Sequence, residues 1–304
     1  MTLAATLVAM SSSDDLGYFG PDSVSWRVHR EVTVLFGGAR AVLMQAAHPL
    51  VIAGAKRTGF YERDPWRRLQ RTLQLTYAVT FGARAEAREA AERINEVHAR
   101  VNGVDESTGL PYDALDPDLL LYVHGCLIES ALLFERLTIG KLDAAGRQRF
   151  HDEQMFAAEL LELPRDRIPP TVPELRAYLR QVESSGILRV GDAARRVAAL
   201  FRHPPPEAEW RPVLLGISRL AFWTLPPVTR DLYGVRHSWG RRAVMSATFA
   251  ALRRLHPLLP PRYRFIAPYQ EWRRRRHEPV GPGSNGPIRR AGMADPDRAT
   301  RPPA

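Results

Sequence analysis

The chain has 304 residues, 45% hydrophobic and 25% charged, a balance that supports a packed core and excludes a wholly disordered polypeptide. Its one cysteine, Cys126, excludes an intramolecular disulfide framework and every site built on CxxC pairs. The formal net charge is +10, and of the 43 basic Lys and Arg side chains only Lys56 and Lys141 are lysines. The one dense basic block, Arg273–Arg276, lacks the interleaved aromatics of a nucleic-acid reader. No nucleic-acid partner is therefore expected, and peripheral contact with a membrane surface is the role open to this basic C-terminal region. Apolar runs fall short of about eighteen unbroken residues. Met1–Met10 has no basic segment before it, so a cytoplasmic location is expected.

Helical periodicity dominates the chain in order. Val32, Leu35, Phe36, Ala39, Leu43 and Ala46 recur at spacings of three and four, predicting a helix over Val28–Ala47 that ends at His48-Pro49. Within it, Gly37-Gly38 marks either a kink or a close approach. Asp64-Pro65 joins an N-cap residue to a first-turn proline and opens a helix to Phe81. Arg84–Val101 follows, stopped by Gly103. Asp116-Pro117 repeats the cap signal and opens the leucine-rich Asp118–Leu137. Further helices are predicted over Asp143–Leu161, Glu174–Ser184, Asp192–Phe201, Trp210–Trp223, Pro226–Tyr233, Ser238–His256 and Tyr263–Arg276. No segment alternates long enough to propose a sheet. The fold class is all-α, a multi-helix bundle occupying 20–278, with a disordered Pro/Gly/Arg-rich tail over 279–304.

Several chemistries are absent. No Glu is followed by His three residues later, which removes the bundle di-iron signature, and HExxH, the Walker loop and GxSxG are missing. Gly281–Gly286 fits GxGxxG, but it follows no strand and opens no helix. The informative residues are therefore helical histidines. His98 lies with Ile94, Val97 and Val101, and His124 with Leu120, Leu121, Leu127 and Ile128. A lone imidazole in an aliphatic stripe suits a haem axial ligand. The pattern alone favours a satisfied core histidine, and two such residues on separate helices raise the haem reading without deciding it.

The ordered blocks Leu35-Phe-Gly-Gly-Ala-Arg-Ala-Val-Leu-Met-Gln-Ala-Ala-His48-Pro49, Asp64-Pro-Trp-Arg-Arg68-Leu-Gln-Arg71-Thr72, Val97-His98-Ala-Arg-Val101 and Ala114–His124 carry a family resemblance. The chain resembles the rubber oxygenase (latex-clearing protein) and MpaB-type oxygenases from about Trp26 to Ala177, which divides it into a family core over 20–177 and a C-terminal helical part over 178–278. The resemblance implies a globin-related helical core, haem b and dioxygen, and an apolar, isoprenoid or lipid-like substrate. It implies His98 as the axial ligand of the iron and Arg68 and Thr72 as cofactor-binding residues, with Arg71 and His124 as catalytic candidates, His124 standing open between the distal side, oxygen chemistry and ligation of the iron in place of His98. At i, i+4 spacing Arg68 and Thr72 share a helix face, where a guanidinium can pair a haem propionate. The role of His48 is left between capping and the site. Two departures stand against polyisoprene cleavage. Arg71 occupies the position near which rubber-cleaving members carry a distal lysine, and no acid lies between His48 and Phe60. The rival expectation is a non-catalytic helical binding or structural protein that keeps the fold.

Overall fold

Two long apolar helices cross at the centre, and the other elements are arranged around them. The structure, a computed structural model, describes residues 15–57, 73, 76–204, 211–236 and 238–277. The order is α1 (Val24–His29), α2 (Val32–Ala46), α3 (Pro49–Arg57), α4 (Arg84–His98), β1 (Asn102–Val104), β2 (Pro111–Asp113), α5 (Pro117–Thr138), α6 (Ala144–Leu160) and α7 (Val172–Ser184). Then follow α8 (Asp192–Arg202), α9 (Arg211–Trp223), α10 (Pro227–Leu232), α11 (Trp239–Leu255), α12 (Pro261–Arg264) and α13 (Ala267–His277). The architecture is all-α apart from the small antiparallel hairpin, in which Gly103 sits opposite Tyr112.

The central pair is α2 and α5. Ala39, Ala41, Leu43 and Met44 of α2 meet Tyr122 and Cys126 of α5, with Leu179, Ala198, Ala221 and Phe222 closing the cluster from α7, α8 and α9. A second cluster joins Val24 and Val28 of α1 to Ile128, Leu132 and Phe150. Gly37 explains how closely the pair can approach. A Cβ there would stand 2.8 Å from the Ser130 carbonyl oxygen, whereas one on Gly38 would meet nothing. The Gly-Gly pair thus marks close packing, and α2 runs through it unbroken. By length and composition α5 is apolar enough to cross a membrane. Here it is the central helix of the core, with Cys126, Leu132 and Phe134 fully buried.

The predicted helix starts are visible as caps. Asp116 accepts from the N–H groups of Asp118 and Leu119. Thr171 and Glu174 form a reciprocal capping box at α7. Three boundaries differ from expectation. The first predicted helix is two, because Glu31 is extended and bridges Phe265. For the same reason Phe265 divides the last predicted helix, and the Ile266 N–H donates to the Arg30 carbonyl at 2.9 Å. At His48-Pro49 the chain does not leave helix for long. It bends by 102° and resumes at Pro49, where a first-turn proline lacks only a donor that would have been unsatisfied. The Asp64-Pro65 helix start lies outside the described residues, although residues 73 and 76–81 are helical. The tail over 279–304 also lies outside them.

Candidate functional site

The α2–α3 bend is built by side chains from distant elements. Tyr122 donates its hydroxyl hydrogen to the Met44 carbonyl and Tyr233 donates to the Leu43 carbonyl, each at 2.9 Å, adding a side-chain donor to carbonyls that share the Ala47 N–H at the helix end. Gln45 Nε2 donates to the Val123 carbonyl at 3.1 Å, and the Arg189 N–H to the Ala47 carbonyl at 2.8 Å. His48 is buried at this corner, its ring 5.1 Å from that of Tyr122. Burial lowers its pKa to about 4, against a small opposing pull from Asp116. Its Nδ1 is closed off from solvent without a hydrogen-bond partner.

His124 stands one helical turn above Leu120 and Leu121 on α5 and one below Ile128, all three buried. Burial lowers its pKa to about 4, and His151 on α6 adds to the shift. Its Nε2 is buried and unpartnered. Leu127, by contrast, is 45% exposed and belongs to the opposite face. His98 closes α4 and is half-buried, with its Nδ1 sealed from solvent. The apolar stripe read around it is only partly buried, since Val97 is 53% exposed. Asn95, one turn earlier, donates to the Leu160 carbonyl at 2.9 Å and docks this end of α4 on α6. Arg68, Arg71 and Thr72 lie outside the described residues.

His151 and His29 were not singled out by the sequence reading. His151 is fully buried and donates from Nε2 to the Pro169 carbonyl at 2.7 Å, which leaves its buried Nδ1 without a partner. His29 on α1 packs 5.4 Å from the Phe150 ring, and burial brings its pKa to about 4 despite a hydrogen bond with Gln154. His151 follows Phe150 and precedes Met155 by four residues, so its place on a buried stripe was a usable signal. His29 sits at the end of a six-residue helix, too short to show periodicity.

Other polar groups in the core are structural. Arg40 is buried across the α2–α5 contact, donating to the Ser130 hydroxyl at 2.7 Å and the Thr224 carbonyl at 2.8 Å. Burial pushes the Cys126 thiol up to about 12, so it is neither a thiolate nucleophile nor a thiolate ligand at neutral pH.

These residues meet the donor requirement of a haem iron, which asks the protein for one neutral imidazole nitrogen rather than a cage of ligands. At pH 7 the rings of His48 and His124 are neutral, and each has a buried nitrogen unclaimed by the protein. Among the described residues no group of three or more His, Cys, Asp or Glu is placed to hold a metal ion. Two surface clefts lie elsewhere. One of about 320 Å³ includes Arg195, Arg202, His203 and Tyr233, and one of about 470 Å³ is lined by Pro260, Pro261, Arg262, Gln270, Arg273 and Arg274.

No match was found among curated proteins or among solved structures. The family described as "ER-bound oxygenase mpaB/B'/Rubber oxygenase, catalytic domain" matches residues 26–256, well past residue 177, and so takes in α7 to α11 as well as the helices that carry the histidines. With most of its length inside that match, from Trp26 to His256, the chain belongs to the mpaB/rubber oxygenase catalytic-domain family.

Proposed function

We propose that the chain is a haem-b-dependent oxygenase that uses dioxygen on a small apolar substrate of isoprenoid or lipid-like character. Membership of an oxygenase family supports the reaction class. The observation that carries the cofactor is His124, a half-buried, neutral histidine whose Nε2 is sealed from solvent without a hydrogen-bond partner. In this reading His98 would hold the iron, and Arg68 and Thr72 would bind the cofactor, Arg68 by pairing a propionate. Haem, when bound, supplies the activation of dioxygen. His124 faces the reacting side as a neutral imidazole and can donate or accept one hydrogen bond without bringing charge into the pocket. Arg71 is the second residue assigned to the catalytic side, where its guanidinium would stay charged because it does not deprotonate.

The test is the visible spectrum of purified variants. His98→Ala should lose the Soret band with helix content unchanged. His124→Ala should keep haem and lose oxygen consumption. Arg68→Ala should weaken haem retention by about 1.5–3 kcal/mol, the value of a charge-assisted hydrogen bond. Loss of haem from His124→Ala with retention in His98→Ala would exchange the two assignments. A wild-type protein that stays colourless after haem supplementation would leave the non-catalytic binding protein as the better reading.

A further inference from the structure

Among the described residues nothing covers the outer face of α11, which is mostly apolar. Only Phe249 of this helix is buried, while Trp239, Ala243, Val244, Ala247, Ala251 and Leu255 face outward on the opposite side. Trp239 is 86% exposed, and just beyond the helix Leu258 is 75% exposed, with Tyr263 close behind. Trp239, Val244 and Leu255, set among alanines and followed by Leu258 and Tyr263, are large apolar side chains whose exposure costs free energy in water and marks a surface that is covered in use. Its charge is one-sided. From Leu232 to Gln270 the sequence holds seven arginines, residues 236, 241, 242, 253, 254, 262 and 264, and no Asp or Glu. Arg264 is taken up by Glu31, but Arg242 and Arg254 are exposed on the helix, and Arg262 joins Arg273 and Arg274 around the cleft of about 470 Å³, which no carboxylate lines.

We infer that this face docks on an anionic lipid surface, with α11 lying in the plane of the interface. An apolar strip with a terminal tryptophan and flanking guanidinium groups is what a headgroup–acyl boundary accepts. Leu255, Leu258 and Tyr263 enter the apolar layer beside a cleft in which Arg262, Arg273 and Arg274 meet lipid phosphate. A second copy of the chain is the poorer occupant. A two-fold contact would set this arginine-flanked face against itself with no acid to answer it.

The full-length protein is co-sedimented with vesicles of phosphatidylcholine alone and of an equimolar mixture with phosphatidylglycerol, at low and high salt. Binding is expected on the anionic vesicles only, weakening as salt rises. The combined variant Trp239→Ser, Leu255→Ser, Leu258→Ser should lose roughly tenfold or more of that binding. Arg262→Gln with Arg273→Gln should reduce it and flatten its salt dependence. Circular dichroism and haem content should match wild type in both, and since these residues lie outside the histidine site, the outcome is independent of the cofactor. The inference is overturned if wild type ignores anionic vesicles, or if the serine variant binds as well as wild type. It is also overturned if wild type is dimeric by sedimentation and the serine variant monomeric, or if only deletion of residues 1–14 exposes vesicle binding.

Discussion

His29 and His48 carry a consequence for pH that follows from burial alone. Both are held near pKa 4, below the ordinary histidine value of 6.5, because burial penalises the charged ring. Between pH 4 and 6.5 the unfolded chain therefore binds more protons at these sites than the folded one, so stability falls as pH falls through that window. Above pH 6.5 the contribution is fully present, and below pH 4 no further loss comes from these groups. At about 1.4 kcal/mol per unit, each site is worth on the order of 3 kcal/mol. Urea titrations at pH 7 and pH 5 should show a lower unfolding free energy at pH 5, and His29→Gln should reduce that difference. An unchanged pH dependence in the variant would mean that the His29 ring is hydrated in solution.

Single residues were legible in the sequence where chemistry and position coincide. His124 could be picked out because leucines and isoleucine flank it at helical spacing, and its burial and neutral ring suit the proposed role. His98 was picked out by the same reasoning, but its stripe includes the exposed Val97. A three-to-four spacing reports which residues share a face, and the tertiary neighbours decide whether that face is covered. The burial of His151 was readable beside Phe150, but its hydrogen bond was not, since its partner is a carbonyl of the proline-rich link after α6.

At the scale of elements, the glycine pair in α2 separates two effects that sequence cannot distinguish. Gly37→Ala would drive a methyl group to 2.8 Å from the Ser130 carbonyl oxygen and force α2 and α5 apart. The expected cost is about 1–3 kcal/mol, the usual range for overpacking. Gly38→Ala meets open space within a helix and should stabilise by about 0.5–1 kcal/mol. Thermal unfolding of the two variants should move the midpoint in opposite directions, and equal shifts would contradict the close approach of the pair. Helix starts were readable because caps are local, as Asp116-Pro117 and Thr171–Glu174 show. The breaks at Glu31 and Phe265 were not, because each exists only to pair with the other across more than two hundred residues. The β1–β2 hairpin escaped for a different reason. Strands of three residues are too short to alternate.

Across the whole molecule, one buried carboxylate joins the two ends of the described chain. Glu31 accepts from Arg264 through both oxygens at 3.0 Å and meets His256 Nε2 at 2.9 Å. Around it Arg30 lies over the Phe265 and Tyr269 rings, and Trp26 packs edge-on to Trp272. Glu31→Ala leaves a guanidinium and an imidazole without their shared acceptor and should cost about 3–5 kcal/mol, the range for breaking a buried pair. Hydrogen exchange should then accelerate in α1 and α13 together. Acceleration in one of them alone would show that aromatic packing, and not Glu31, joins the ends.

The account rests most heavily on haem, and its content in the purified wild-type protein is the most direct measure. After expression with haem supplementation, the Soret absorbance and a pyridine haemochrome assay should together give close to one haem b per chain, with the band absent from His98→Ala. A wild-type protein that folds to the expected helix content and carries neither Soret band nor extractable haem would contradict it.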